Sequence, residues 1–313
     1  MEASLLPSER IAELAKKVEL VVVRRADPAC EPLRKEFDAR AAAWVIVLDP
    51  RGELLDSGAA DGTGALKNKD SALAFPGVFA DKLEAGLRRK ESLQDLERRW
   101  AKEPKEEAGF EALASRLEEL TSDARLRELC TKVADLPGLP AARRSGALLR
   151  GFIARSREYG ALGTAEAQAN FVQDGERLIV ENAAHPRAPQ AVQALFQGGY
   201  AGRFDVPGRC AAGLARLEAQ AQGLADPAPL RERIKELSAL REKEIETLQA
   251  RRVAAKGNEA SEAWYAAALG DAETTIRVFS KPPHDKSAYY QGLVQEAREK
   301  LQRPGEKPAK GEK

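Results

Sequence analysis

From about residue 91 to residue 302 the chain carries no strand-like segment, which restricts most of it to packed helices. Apolar residues recur at helical spacing over 91–102, 106–121, 123–135, 140–159, 164–183, 188–201, 208–222, 227–255, 259–269, 271–279 and 286–302. The breaks carry turn chemistry: Glu103-Pro104, Asp135-Leu-Pro-Gly138, His185-Pro186, Gly198-Gly199, Asp205-Val-Pro-Gly208 and Asp226-Pro227. Helices of roughly 10–20 residues joined by short turns are what stacked helical hairpins require. In 227–255, Leu230, Ile234, Leu237, Leu240, Ile245 and Leu248 mark an apolar stripe that shifts phase slightly. That segment reads as a solenoid helix or a short pairing seam, with a partner-binding helix as the alternative.

Composition supports an exposed, helix-rich protein: 32% of residues are charged and only 5% aromatic. Lys and Arg number 50 against 49 Asp and Glu, a net charge of +1. The balance gives no electrostatic reason to expect nucleic acid or an anionic membrane as partner. No run approaches about 18 apolar residues, so no membrane span is expected. Met1–Pro7 shows neither a basic n-region nor an apolar h-region, so no signal peptide is visible.

Chemistry-bearing motifs are absent. Cys30, Cys130 and Cys210 match no zinc, redox or disulfide spacing, and His185 and His284 are the only histidines. No metal or cofactor is therefore expected, and Cys30 is the cysteine expected to be most exposed. There is no Gly-x-Ser-x-Gly elbow. Asp61-Gly-Thr-Gly64 lacks the residue order and second copy of an aspartic protease. Gly58–Gly64, followed by Lys67, is not a phosphate loop and reads as a flexible polar loop. His284-Asp285 reads as a turn with Asp285 capping the following helix. Glu106-Glu107 and Glu118-Glu119 are expected on solvated helical faces.

The N-terminal part reads differently. Residues 1–17 suggest a helix capped by Ser8, with Ile11, Leu14 and Val18 on one stripe. Val18–Arg24 is a strand-length apolar run, Asp27-Pro28 breaks it, and Glu31–Phe37 is a short amphipathic helix. Trp44–Asp49 is a second strand, Asp49-Pro50-Arg51-Gly52 a tight turn, and Glu53-Leu-Leu55 starts a third strand that runs toward Ser57. Val78–Arg89 closes the series as a helix.

This order resembles the C-terminal part of the thioredoxin fold, whose members often carry a segment like Trp44-Val-Ile-Val-Leu-Asp-Pro-Arg-Gly52. The resemblance implies a family cis-proline at the position of Ala43, where a non-proline cis bond would cost about 3 kcal/mol. A trans peptide is expected there, and Ala43 and Trp44 are the candidate groove residues. The family's first strand and redox motif are missing, and no Cys-x-x-Cys exists in the chain, so no catalytic residue is assigned. Either the start lies downstream of that motif or the domain is truly degenerate. Two phrases resemble tetratricopeptide (TPR) units: Ala188–Phe196 followed by Gly202–Asp205, and Ala263–Asp271 followed by Ile276–Phe279. Their period is irregular. The resulting fold class is α/β + α: a truncated or degenerate thioredoxin-like α/β domain at 1–90, then an α-helical hairpin (TPR-like) array at 91–302. A charged tail at 303–313 is expected to be disordered.

Three functional expectations follow. The first is a non-catalytic thioredoxin-like protein whose helical repeats mediate protein–protein interaction, with no nucleic acid partner. The second is a thiol-disulfide oxidoreductase whose Cys-x-x-Cys half lies upstream. The third is a purely structural helical protein with an unrelated α/β cap. As it stands the chain reads as cytoplasmic. The resemblance implies bacterial, often exported relatives, and a lost upstream signal would make it periplasmic.

Overall fold

A computed structural model describes residue 13 and residues 44–49, 51–59, 80–81, 83–89, 91–158, 161–201 and 204–302, with backbone alone for 44, 45 and 57–59. The expected helix at 1–17 with its Ser8 cap (Glu13 apart), strand Val18–Arg24, helix Glu31–Phe37, Cys30, Ala43, Asp61–Gly64 and the tail at 303–313 lie outside the described residues. The chain divides into two compact units, Met1–Leu136 and Pro137–Lys313.

In the first unit, β1 (Trp44–Leu48) and β2 (Leu54–Ala59) form an antiparallel hairpin, the two-stranded sheet of the described residues. Its register runs from Trp44↔Ala59 through Val47↔Asp56 to Leu48↔Leu54, with an irregularity between Val47 and Leu48. The turn closes through Gly52 N–H to Asp49 O at 2.9 Å, and Asp49 Oδ1 accepts from the Arg51 and Glu53 amides. The second strand is longer than expected. Gly58 and Ala59, assigned to the polar loop by sequence, pair with Val45 and Trp44, because the β1 partner continues beside them. Val47 is buried and packs on Gly86 in the helical segment 83–88, so closely that any Cβ on Gly86 would overlap it.

Three helices follow: α1 (Leu93–Lys102), α2 (Glu107–Glu119) and α3 (Asp123–Ala134). Ser92 caps α1 in a capping box with Asp95. Their apolar faces bury Leu93, Leu113, Leu117, Leu126 and Val133. The hairpin is tied to α1 directly. Leu54 N–H donates to Gln94 Oε1 at 3.0 Å, Ser92 Oγ donates to Glu53 Oε2 at 2.7 Å, and Arg98 Nη1 donates to Glu53 Oε1 at 2.7 Å.

The second unit contains α4 (Ala141–Arg157), α5 (Ala165–Glu181) and α6 (Ala188–Leu195), which runs into a π-helical turn, Phe196–Tyr200. Then come α7 (Val206–Ala221), α8 (Ala228–Ala254), α9 (Glu259–Ala268), α10 (Ala272–Phe279), a 3-10 turn (His284–Lys286) and α11 (Ala288–Gln302). The helical segments read from sequence are found within a few residues of their expected ends. Consecutive helices from α7 to α11 pack as hairpins, whereas α6 packs on α4, α5 and α8 together. Two apolar clusters result. One centres on Phe171, Ile179, Leu195, Leu217 and Leu230, with Phe152 stacked on Phe171 at 4.3 Å. The other centres on Phe204, Ala263, Phe279 and Ala297. The phase shift in α8 is visible in its burial: Leu230, Ile234 and Leu237 are covered in the first half, and Leu248 alone of the stripe is fully covered later.

Asp285 does not cap α11. It sits inside the 3-10 turn with its Oδ1 buried and without a hydrogen-bond partner, two residues before Ser287, the position that would cap a helix beginning at Ala288.

Candidate functional site

The sequence of α5 has two faces. Phe171, Gly175, Leu178 and Ile179 turn inward to the core. Ala165, Gln168, Ala169, Val172, Gln173 and Glu176 recur every three or four residues and fall on a second stripe. Thr164 starts the helix by accepting from Ala167 N–H at 3.1 Å. On α7, Arg209, Ala212 and Arg216 form a matching stripe. Asp205 caps that helix from the left-handed region (φ 56°), accepting from Gly208 N–H at 3.1 Å.

These two stripes line one cleft of about 540 Å³, with Gly199 and Tyr200 of the π-helical turn at its base and Glu296 of α11 at its edge. π-helical turns often mark functional positions, because the extra residue displaces a side chain from the regular helical path. The turn here ends on Tyr200, which is almost fully buried. Its hydroxyl donates to Glu176 Oε1 at 2.8 Å. Glu176, also buried, receives Arg216 Nε at 2.8 Å and Arg216 Nη2 at 2.7 Å, a bidentate pair. Gly213 makes the arrangement possible: a Cβ there would lie 2.2 Å from the Tyr200 hydroxyl oxygen. At the other end Arg209 donates from Nε to Phe204 O at 2.9 Å and from Nη2 to Glu296. Gln168 is 7% exposed, and its amide nitrogen donates to Leu162 O at 2.7 Å.

The electrostatics describe a closed set of pairs. Burial, and then the Glu176 carboxylate, push the Tyr200 hydroxyl far above the normal tyrosine range, so it stays protonated and acts as a donor. Hydrogen bonding to Glu176 raises Arg216. Cys210 lies beneath the cleft in the core, and burial pushes its thiol up to about 11. A thiol so placed is protonated at neutral pH and a poor nucleophile. Cys130 is buried as well. His185 is lowered by burial and then by Arg187, and its Nδ1 accepts from Arg187 N–H at 3.1 Å. No His, Cys, Asp and Glu group among the described residues is arranged to hold a metal ion.

Of the sequence-derived groove residues, Ala43 lies outside the described residues. Trp44 opens β1 opposite Ala59, with its side chain also outside them. The cleft residues Gln168, Glu176, Tyr200, Arg209, Arg216 and Glu296 carry no short motif. Their one sequence signal is the stripe of alanines and glutamines on α5 beside the apolar face. No helix among the described residues is long and apolar enough to cross a membrane. No protein-family model matches the chain, no curated protein matches it, and no solved structure matches its fold.

Proposed function

We propose that this is a non-catalytic interaction protein, whose helical unit receives a partner protein in the cleft between α5 and α7. The observation that carries this reading is the cleft itself: about 540 Å³, lined by small residues and by side chains held in fixed hydrogen bonds. Preorganised walls lower the ordering cost of binding. The volume falls within the roughly 300–1,000 Å³ typical of binding clefts. Cleft cations paired with carboxylates favour a protein over nucleic acid, whose binding draws on unpaired Lys and Arg.

The helical unit is read as a TPR-like array, supported by the α9–α10 hairpin at Ala263–Phe279, the second of the two repeat-like phrases. The hairpin β1–β2 and the segment 83–88 packed on Val47 support the reading of the first unit as the later part of a thioredoxin-like domain. In this reading that domain is a structural partner of the helices.

The test is affinity capture with immobilised wild-type chain and with Ala169→Trp, which places an indole at an exposed position of the cleft lining. A protein species retained by wild type and by the control Glu218→Ala, on α7 outside the cleft lining, but lost with Ala169→Trp, supports the reading. Identical retention by all three contradicts it.

A further inference from the structure

The two ion pairs that line the cleft differ in which member faces outward. Glu176 is the buried member of its pair: its side chain is 7% exposed, while that of Arg216 is 51% exposed. The Glu176 carboxylate receives the Tyr200 hydroxyl, Arg216 Nε and Arg216 Nη2. The arginine therefore stands toward solvent and the acid behind it, so a group entering the cleft here meets the guanidinium first. At the other end Arg209 and Glu296 are exposed alike, 39% and 34%, and that pair presents both signs.

This layering gives the cleft a preferred sign although its arginines and glutamates are equal in number. Coulomb attraction falls with distance, and a carboxylate laid on the open side of Arg216 is nearer the cation than Glu176. A guanidinium carries five N–H donors on a planar fork, and Glu176 takes the edge formed by Nε and Nη2. With half of the side chain open to solvent, a second carboxylate can approach it from outside. An entering cation has no equivalent approach to Glu176: it must displace Arg216 and Tyr200 from a buried acid.

Spacing says how such a partner can use both arginines. Arg209 and Arg216 are seven residues apart on α7, about 10 Å along the axis at a rise of roughly 1.5 Å per residue. Three residues of extended chain cover about the same distance. Ala169 and Ala212, exposed in the cleft lining, carry nothing beyond Cβ to hold a peptide away from the helices.

Resting on the partner-binding reading above, we infer that the segment the cleft takes from its partner protein is acidic, with one carboxylate against Arg216 and a second that competes with Glu296 for Arg209. The experiment uses the full chain, isotope-labelled, and follows the Ala169 and Ala212 backbone amide signals by NMR. The probes are acetyl-Ala-Glu-Ala-Ala-Glu-Ala-amide and its counterparts with both glutamates replaced by glutamine or by lysine. The acidic probe is expected to shift both signals and to bind at least about tenfold more tightly than either counterpart, a difference of about 1.4 kcal/mol. Glu296→Gln removes the competing carboxylate from a partly exposed pair and is expected to tighten the acidic probe about threefold. Such a gain is not what a damaged fold produces. Arg209→Gln is expected to weaken the same probe. A glutamine or lysine probe that binds as tightly as the acidic one overturns the inference, as does Glu296→Gln without a gain. The absence of shifts with the acidic probe, or an oligothymidylate that shifts the same signals with equal affinity, overturns it too. Affinity capture with Ala169→Trp decides the broader reading separately, because a partner held there through a neutral or basic segment keeps that reading and ends this one.

Discussion

Tyr200 reaches Glu176 with a 2.8 Å hydrogen bond across the cleft base, and it does so because Gly213 leaves the space its hydroxyl needs. The bond joins the π-helical turn to α5, while Arg216 joins the same carboxylate to α7. Three elements therefore meet on one buried acid.

Tyr200→Phe keeps the ring and removes the donor. Glu176 then loses a charge-assisted hydrogen bond in a buried setting, at a cost of about 1.5–3 kcal/mol. Urea unfolding should show a lower midpoint with an unchanged slope. A midpoint equal to wild type would mean that water replaces the hydroxyl without loss.

Gly213→Ala places a methyl 2.2 Å from the Tyr200 oxygen. Overpacking of this kind costs about 1–3 kcal/mol. Because both changes break the Tyr200–Glu176 bond, combining Gly213→Ala with Tyr200→Phe should cost less than the sum of the two. Strict additivity in a double-mutant cycle would separate the two residues energetically.

Gly270 joins α9 to α10 at φ +82°, and a Cβ there would lie 2.4 Å from Asp205 Oδ1. Asp205 Oδ2 accepts from Lys300 Nζ at 2.7 Å, so this point ties the start of α7 to α11. Gly270→Ala is expected to cost about 1–3 kcal/mol through backbone strain and displacement of Asp205. Lys300→Ala, on a partly exposed pair, should cost less than 1 kcal/mol or about that. Thermal unfolding of the two variants checks the order, and the reverse order would contradict it.

Arg98, and to a lesser degree Ser92, hold Glu53 below the usual carboxylate range; Arg98 and then Arg51 do the same for Asp95. Folded values below the unfolded ones contribute stability above an ordinary carboxylate pKa of about 4, lost as pH falls through the lower folded values. Amide-exchange protection factors at Gly52 and Leu54, corrected for the intrinsic rate, should therefore fall on acidification below about pH 4. Unchanged protection down to about pH 2 would show that the hairpin holds to α1 without these pairs.

The helical part was legible because its cause is local. Leu113 and Leu117, or Leu230, Ile234 and Leu237, repeat at a spacing that only a helix turns into one face, and Ser92, Thr164 and Asp271 cap helices where such residues are expected. The hairpin was legible for the same reason, since Asp49 and Gly52 suit the turn. The end of β2 was not: Gly58 and Ala59 have weak strand preference and are extended by their pairing with Val45 and Trp44. The cleft was illegible because it depends on distance in space. Glu176, Tyr200, Arg216 and Glu296 come from four elements, and nothing in their local sequence announces that they meet. Asp285 failed as a cap because it lies inside the 3-10 turn that precedes α11.

The central claim is that the α5–α7 cleft is where a partner lies. The most direct measurement installs a photo-activated benzophenone side chain at Gln173, on the cleft wall, and at Glu218, an exposed α7 position outside the cleft lining. The account predicts a discrete protein adduct from position 173, mapped by mass spectrometry to one stretch of the partner, and none from position 218. Equal adducts from both positions, or adducts from 218 alone, would contradict it.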